Sequence, residues 1–559
     1  MTSSEAQSPR ESSSSRLVRI LIGILILIPA VLACGASQLA LSIGTFMTSL
    51  RKVALSGHSS FIGMANYLHI FQDHAWSKAL GYTFSILLVR WLAVAVVPVL
   101  LAWGISRFGS GLRKAFRVIF TVPVAILLPT GLALAITIGL RTGSSLLDKT
   151  WLAQPAQASG FLLLLDGVYT LGLACALGLV FYLAAFRNPD PEKKPWKAIL
   201  AVWGIGLLGA AASALQSYTW SFALTGGGPA GATADLMIYF YNIAFRFVEL
   251  GLGAAVANIL LVALYILGLL AGGILILSNL KIGLVSPAQG ADRPRGRGLA
   301  IAGLILGLLV ALPALVLSLL PLGAAIQAGL RAGMPAGGKP LITPDTLSAT
   351  FLPVLIVVVV QLLITYLAAL GIGGLRPLGR FSEWLLLPFC PWLFVGAGPF
   401  SIYVLQLVRQ ANLFGTFPSL LIPLAVSVPM LVLLTLFFKG QQGRFREAKG
   451  AGVSTVKAVF TQLVVPSLPL AGLIALAGVF AGLGDAFWSL LFASRPAIYS
   501  LDVVAMLLMR NYQSNSLPLL AGLFVRAYLP IFVFFFLAFG LFQLFYLDRL
   551  SLSTGSEKP

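Results

Sequence analysis

The chain has 559 residues, of which 58% are hydrophobic and only 10% are charged, and its mean hydropathy is +0.96. A soluble domain carries about 25% charged residues, so this composition excludes a soluble protein. The net charge of +20 would suit a nucleic-acid partner, but in a membrane protein an excess of Lys and Arg is expected on the cytoplasmic loops.

Apolar runs recur along the whole sequence, and a transmembrane helix needs about 20 apolar residues. Because backbone groups in lipid must be hydrogen-bonded within their own segment, these runs predict an all-α polytopic membrane protein. About twelve spans are predicted, at residues 17–43, 82–104, 117–140, 161–186, 198–221, 250–279, 299–323, 351–375, 384–408, 417–438, 462–484 and 517–546.

The distribution of Lys and Arg predicts the orientation of the spans. With the N-terminus placed inside, the inside segments carry about twice as many basic residues as the outside segments. Both termini are therefore expected in the cytoplasm of a prokaryotic cell, with the chain in the inner membrane. The charge then reflects topology, and no nucleic-acid partner is expected.

A Pro-, Gly- and Arg-rich segment divides the spans into two sets of six. Because six is even, both sets enter the membrane in the same orientation, which predicts parallel repeats in one chain. The predicted organisation is a disordered cytoplasmic tail at 1–16, a first half at 17–280, a cytoplasmic linker at 281–298, a second half at 299–547 and a cytoplasmic tail at 548–559.

Several short motifs follow one another in the first half: Phe61–Tyr67, Arg107-Phe108, Leu112–Arg117, Leu224–Ala230, Ile238–Tyr241 and Ala244–Arg246. Each motif is weak alone, because a Gly-Gly-Gly-Pro turn such as that within 224–230 is common in loops. In this order and spacing they resemble the sugar-type permease subunits of binding-protein-dependent ABC importers, of the maltose and glycerol-phosphate type. The resemblance covers most of residues 17–280 and implies the type I ABC importer permease fold, here with two permease halves fused.

A charged stretch of the second half resembles the cytoplasmic motif of the same family, Glu-Ala-Ala followed by Gly and then Ile-x-Leu-Pro. Glu447-Ala448 and Pro466 stand at the family spacing, but Lys449 replaces the second Ala and Gly452 comes one residue early. The resemblance implies a coupling helix that inserts into a cytosolic ATPase. The alternative is an ordinary basic inside loop. The residues predicted to couple are Arg444, Arg446, Glu447, Ala448, Gly452 and Pro466.

The corresponding loop of the first half is too short to carry the same device. About ten polar residues, 187–197, join its fourth and fifth spans, and a coupling helix pair needs roughly twice that number. Asn188-Pro189-Asp190-Pro191 is also a poor helix former. We therefore expect that the first half has lost its coupling helix and that the transporter is mechanically asymmetric.

Polar residues at membrane depth are costly and are often functional. Residues at the end of the fifth span of each half are candidates for a substrate path: Gln216, Ser217, Tyr218, Trp220, Asp485 and Trp488. Interfacial anchoring and helix packing explain them equally well. Arg90, Asp166 and Arg526 are further candidates, although Arg90 and Arg526 are more simply explained as packing partners.

The resemblance implies a permease subunit of an ATP-driven importer, for sugar or a related carbohydrate. It implies two cytosolic ABC ATPase subunits, an external solute-binding protein, a small-molecule solute and surrounding lipid. No catalytic residue, metal site or cofactor is expected in this chain, with ATP and Mg²⁺ held by the ATPase. The alternatives are a twelve-helix secondary transporter, a degenerate permease that acts as a membrane scaffold, and a permease of the same mechanism for iron or thiamine.

Overall fold

The computed structural model describes residues 20–53, 59–143, 149–187, 195–285, 297–331, 341–510 and 516–555. The described residues form an all-α protein with two short β-ribbons. We call residues 20–285 the first half and residues 297–555 the second half. The predicted tail at 1–16 lies outside the described residues.

The first half contains helices α1 to α10 and strands β1 to β3. The helices are α1 (Ile20–Ser49), α2 (Ala65–Gln72), α3 (His74–Ile105), α4 (Ser110–Ala125), α5 (Pro129–Thr142), α6 (Pro155–Phe186), α7 (Trp196–Leu215), α8 (Thr219–Leu224), α9 (Leu236–Tyr241) and α10 (Leu250–Ser278). The strands are β1 (Arg51–Val53), β2 (Ser59–Phe61) and β3 (Lys281–Leu284).

The second half contains helices α11 to α19 and strand β4. The helices are α11 (Gly298–Arg331), α12 (Pro344–Leu375), α13 (Ser401–Gln410), α14 (Val428–Gly440), α15 (Gln442–Gly450), α16 (Thr455–Leu483), α17 (Ala486–Phe492), α18 (Leu501–Arg510) and α19 (Ser516–Arg549). Strand β4 is Leu550–Ser553.

Within the described residues, nine helical segments are long and apolar enough to cross a membrane, or ten if α4 and α5 form one bent span. These two helices meet at 80°. Many large apolar side chains on the long helices are exposed, such as Leu277 at 78% and Leu299 at 75%. Soluble proteins rarely expose continuous apolar surface on this scale, whereas lipid-facing helices do. The chain is a multi-pass membrane protein.

Two of the predicted spans are not continuous helices. Residues 384–408 form short 3₁₀ turns followed by α13, and residues 422–427 are extended before α14 begins. Proline lacks the backbone donor that a helix needs and disfavours helix at the preceding residue. Pro388, Pro391 and Pro399 interrupt the first segment, and Pro418 and Pro423 interrupt the second. The count of twelve spans is therefore not reproduced in the described residues.

The first helix of each half packs against the other half. On α1, Gly44 lies against Tyr403, and Gln38 Nε2 donates to the carbonyl of Val426 at 2.5 Å. On α11, Leu304 lies so close to Gly104 of α3 that a Cβ added to Gly104 would be only 2.7 Å from the Cβ of Leu304. Small residues allow such close helix contacts in membranes, so the two halves interlock.

Two antiparallel ribbons join chain segments that leave the helices. Strands β1 and β2 pair within the first half, and β3 pairs with β4. Strand β3 lies in the predicted linker at 281–298 and directly follows α10. Strand β4 lies in the predicted tail at 548–559 and directly follows α19. Part of each of these segments is therefore folded, and β3–β4 connects the last helices of the two halves.

Candidate functional site

A cavity of about 730 Å³ lies between the two halves. Its walls come from α3, α6 and α7 of the first half and from α16 and α19 of the second. Helix α6 lines it from Asp166 to Phe181, a distance of about 22 Å at 1.5 Å per residue. Most of the lining is apolar. Many of its polar residues gather near Asp166, at the end of the cavity away from α15.

Two interrupted helices meet at this polar end. In the first half the helix stops after Leu215 and resumes at Thr219, and in the second half it stops after Leu483 and resumes at Ala486. Non-helical backbone at membrane depth is tolerated where it is buried in protein or lines a cavity, and broken helices of this kind form binding sites in transporters. Gln216, Ser217 and Asp485 occupy the two interruptions, at matching places in the halves.

Arg90 and Asp166 neutralise each other at the cavity wall. Arg90 Nε donates to Asp166 Oδ2 at 2.9 Å and Nη2 donates to Oδ1 at 2.6 Å. The side chains are only 11% and 7% exposed. A bidentate, charge-assisted pair satisfies two buried charges that would otherwise be very costly. Arg90 Nη2 also lies 3.3 Å from Ser217 Oγ, so the pair fixes the first-half interruption.

Gln216 clamps the broken segment of the second half. Its Nε2 donates to the carbonyl of Phe394 at 2.8 Å, and its Oε1 accepts from the backbone N–H of Gly396 at 2.8 Å. Residues 394–396 belong to the irregular stretch before α13. The backbone of this stretch lacks the regular hydrogen bonds of an α-helix. The amide side chain supplies both a donor and an acceptor there, so Gln216 joins the two halves at the cavity.

The aromatic candidates of the first half present rings at the cavity. Trp220 stacks on Tyr169 of α6, with ring centroids 5.3 Å apart and an angle of 14° between the planes. Tyr218 stacks on Phe222 at 4.7 Å and meets Phe487 of the second half edge-on at 4.8 Å. The Tyr218 hydroxyl is buried without a hydrogen-bond partner among the described residues. Its oxygen has almost no accessible surface, so it is the ring of Tyr218 that lines the cavity.

Of the two substrate-path candidates in the second half, Asp485 lines the cavity and Trp488 does not. The Oδ1 of Asp485 accepts from the backbone N–H of Trp488 at 3.3 Å, which caps α17. Trp488 instead points into the core: its Nε1 donates to the carbonyl of Ser419 at 3.2 Å and its ring packs on Phe492. Five of the six predicted substrate-path residues thus line the cavity, and Trp488 is a packing residue. Arg526 is exposed on α19 and does not line the cavity either.

Sequence reasoning missed Tyr169 and Phe487, because each lies in an apolar run that resembles ordinary core. Phe487 also belongs to a cluster of aromatic rings beside the cavity, which we call the aromatic cluster: Tyr218, Phe222, Phe240, Tyr241, Phe245 and Phe487. The guanidinium of Arg510 lies 3.9 Å above the Phe222 ring. The three consecutive aromatic residues at 239–241 were the available hint.

The predicted coupling residues form an exposed helix and turn. Arg444, Arg446 and Glu447 are exposed on α15, Ala448 is half-buried, and Phe445 is buried on the opposite face. Gly452 has a φ of 81°, which suits glycine, and it makes the turn before α16. Pro466 lies about three helical turns into α16, after the wide helical turn at 460–464. The helix–turn–helix shape expected from the sequence is present despite the displaced glycine.

The corresponding place in the first half holds an ion cluster. Helix α6 ends at Phe186 and α7 begins at Trp196, so the nine residues 187–195 join them, whereas α15 and its turn take up the thirteen residues 442–454. Asp548 Oδ1 lies 2.8 Å from Arg117 Nη2 and 2.6 Å from Arg187 Nη2. Burial lowers the pKa of Arg187 to about 10, which leaves it protonated at neutral pH. We call Arg117, Arg187 and Asp548 the Asp548 cluster.

Metal coordination has no candidate in the described part of the chain, where no three His, Cys, Asp or Glu side chains come together. The cysteines Cys34, Cys175 and Cys390 are buried and unbridged.

Comparison with known proteins gives one informative relative. The chain is 25% identical over 251 residues to the multiple sugar-binding transport system permease protein MsmF of Streptococcus mutans serotype c. The match covers 41% of this chain and 85% of that protein. This chain resembles a sugar-transport permease. No model of a known protein family matches it.

Proposed function

We propose that the chain is the permease subunit of an ATP-driven importer for a sugar or a related carbohydrate. The observation that carries the proposal is α15, an exposed charged helix with a glycine turn, set between two apolar helices. A lipid-embedded chain has no structural need for such a helix, whereas a cytosolic ATPase can grip it and push the permease as a rigid body. The similarity to a sugar-transport permease supports the same function.

Two permease halves are fused in this chain. The alignment takes up 41% of this chain but 85% of the relative. The rest of the chain is therefore long enough to form a second permease half. Matching helix interruptions at 216–218 and 484–485 and the contacts that α1 and α11 make with the opposite halves also favour the fusion. In a carrier of two parallel repeats, the substrate passes between the repeats, where the cavity lies.

The partners follow from this arrangement. The α15 end of the bundle, with both termini, faces the cytoplasm and meets a pair of ABC ATPase subunits. These bind ATP and Mg²⁺, and this chain carries out no covalent chemistry. The opposite end faces outward and receives solute from an external binding protein.

The cavity suits a solute with both polar and apolar faces. Its volume lies within the range of about 300–1,000 Å³ that small-molecule sites occupy. Trp220 offers a ring to the apolar face of a sugar, and the Asp485 carboxylate offers polar contacts to its hydroxyl groups. Arg90, Asp166 and Gln216 already bind protein groups, so they shape the site and leave recognition to the other residues.

A secondary transporter of two parallel six-helix repeats is the main competing function. Such a carrier needs no helix for an ATPase, so α15 counts against it. A membrane scaffold is the other alternative, since the first half lacks a coupling helix. A cavity of this size between the two halves favours transport over a purely structural role.

Reconstitution tests the proposal. The chain would be purified with the ATPase and the solute-binding protein encoded beside it and placed in liposomes. We expect the ATPase to co-purify, the loaded binding protein to stimulate ATP hydrolysis, and labelled solute to accumulate only with ATP. Uptake driven by an ion gradient without ATP would favour a secondary transporter, and an assembled complex without stimulated hydrolysis would favour a scaffold.

A further inference from the structure

Helix α15 is attached to the first half as well as to its own. Arg444 Nη2, near the start of α15, donates to the carbonyl of Leu284 at 3.0 Å. Gly440, at the end of α14, lies so close to the carbonyl of Ile282 that any side chain there would overlap it. Leu284 and Ile282 belong to β3, which directly follows the last helix of the first half. A displacement of α15 therefore acts on β3.

The β3–β4 ribbon carries this contact across to α19. The paired residues are Lys281 with Ser553, Ile282 with Leu552, Gly283 with Ser551 and Leu284 with Leu550. Ile282, Leu550 and Leu552 are buried. Separating the strands would leave backbone donors and acceptors without partners in an apolar setting, which is costly. The ribbon is thus suited to remain intact while the helices around it move.

The Asp548 cluster continues the path into the first half. Asp548 lies two residues before β4, and its two partners are Arg117 of α4 and Arg187, the residue after α6. Arg187 Nη1 also donates to the carbonyl of Leu547 at 3.0 Å. The Arg117 side chain is only 1% exposed, and removing one partner from so buried a pair is strongly unfavourable.

Arg187 lies where a docking helix of the first half would begin. It is the residue after α6, where the chain of the first half would enter a docking helix equivalent to α15. The chain has too few residues there for such a helix, and Arg187 binds the second half instead.

We propose that the β3–β4 ribbon and the Asp548 cluster form a permanent tie that carries the movement of α15 to the first half. The tie replaces a second docking helix, so one ATPase contact moves both halves. Asp548 is a positioning residue in this scheme, since it contacts neither solute nor ATPase. The inference rests on the proposed function, because it needs an ATPase that moves α15.

The first experiment measures solute transported per ATP hydrolysed in the reconstituted complex. Asp548→Asn should keep ATPase binding and stimulated hydrolysis but lower this ratio by about fivefold or more, a typical lower bound for coupling between sites. Asp548→Glu should restore it in part, and Arg549→Gln, which removes an exposed charge on the same turn, should leave it unchanged. An unchanged ratio in Asp548→Asn would overturn the tie. If the wild-type chain neither binds an ATPase nor transports, the proposed function fails instead.

A second experiment covers the possibility that Asp548→Asn does not fold. Gly283 and Ser551 face each other in the ribbon, and a Cβ at Gly283 would lie 2.9 Å from Ser551 Oγ. Gly283→Cys with Ser551→Cys, in a chain whose three native cysteines are replaced by Ala, should therefore cross-link on oxidation. We expect the cross-linked transporter to keep its uptake. Failure to cross-link, or loss of uptake that a reductant reverses, would overturn a permanent tie, since the strands would then be apart or would separate during transport.

Discussion

At the scale of single residues, the cavity wall separates side chains that hold the protein together from side chains that remain available to a solute. Arg90, Asp166 and Gln216 are fully engaged by protein partners, whereas the rings of Trp220 and Tyr218 line the cavity. The sequence could predict that polar and aromatic residues gather at 216–220 and 485–488. It could not predict which face of α17 Trp488 occupies, because that depends on the packing of residues 417–420 against it.

Breaking the buried ion pair should destabilise the protein without touching solute directly. Asp166→Asn leaves Arg90 buried beside a neutral partner, and loss of one member of such a pair costs about 3–5 kcal/mol. Replacing both residues by Leu should recover most of this loss. Thermal unfolding in detergent measures it. Equal stability of Asp166→Asn and wild type would show that Arg90 has another partner.

Replacing Trp220 should affect solute uptake, whereas replacing Trp488 should affect the stability of the fold. Trp220→Ala removes a ring from the cavity, and the loss of one aromatic contact should raise the KM for uptake about tenfold. Trp488→Ala leaves a hole in the core and should lower the free energy of unfolding by about 3–5 kcal/mol. Uptake kinetics and thermal unfolding of both variants check this. A KM effect of Trp488→Ala equal to that of Trp220→Ala would contradict the assignment.

At the scale of elements, hydrophobicity predicted most of the long helices, since length and composition alone define a lipid-spanning segment. It failed where proline density interrupts an apolar run, at 384–400 and at 422–427, because composition there still looks like a span. It also could not predict β3–β4: these strands form through contacts between residues more than 250 positions apart. The shape of α15 and its turn was predicted, because Gly452 can make the turn at its displaced position.

Helix α15 should be indispensable for transport. Glu447→Ala, or deletion of residues 445–455, should reduce uptake below about a tenth of wild type, since the described part of the chain holds no second helix of this kind to transmit the movement. Arg380→Gln removes an exposed charge close to the Gly374 contact of α15 and serves as the matched control. Uptake in liposomes measures both. Residual transport above that level in the Glu447 variant would argue for a second ATPase contact.

At the scale of the whole molecule, the two halves are alike where solute would pass and unlike where an ATPase would bind. The helix interruptions at 216–218 and 484–485 match, and α1 and α11 each contact the opposite half. At the α15 end, one half presents an exposed helix and the other a buried ion cluster. The short loop at 187–197 indicated this difference from sequence, but the partner of Arg187 required the folded chain, because Asp548 lies far away in sequence.

The central claim is that one docking helix serves a permease of two halves. A structure of the complete complex with its ATPase tests it most directly. We expect α15 to lie in a groove of one ATPase subunit, while the first half makes no comparable helix contact with the other. Two equal helix-in-groove contacts, or an ATPase bound elsewhere with α15 free, would contradict the claim.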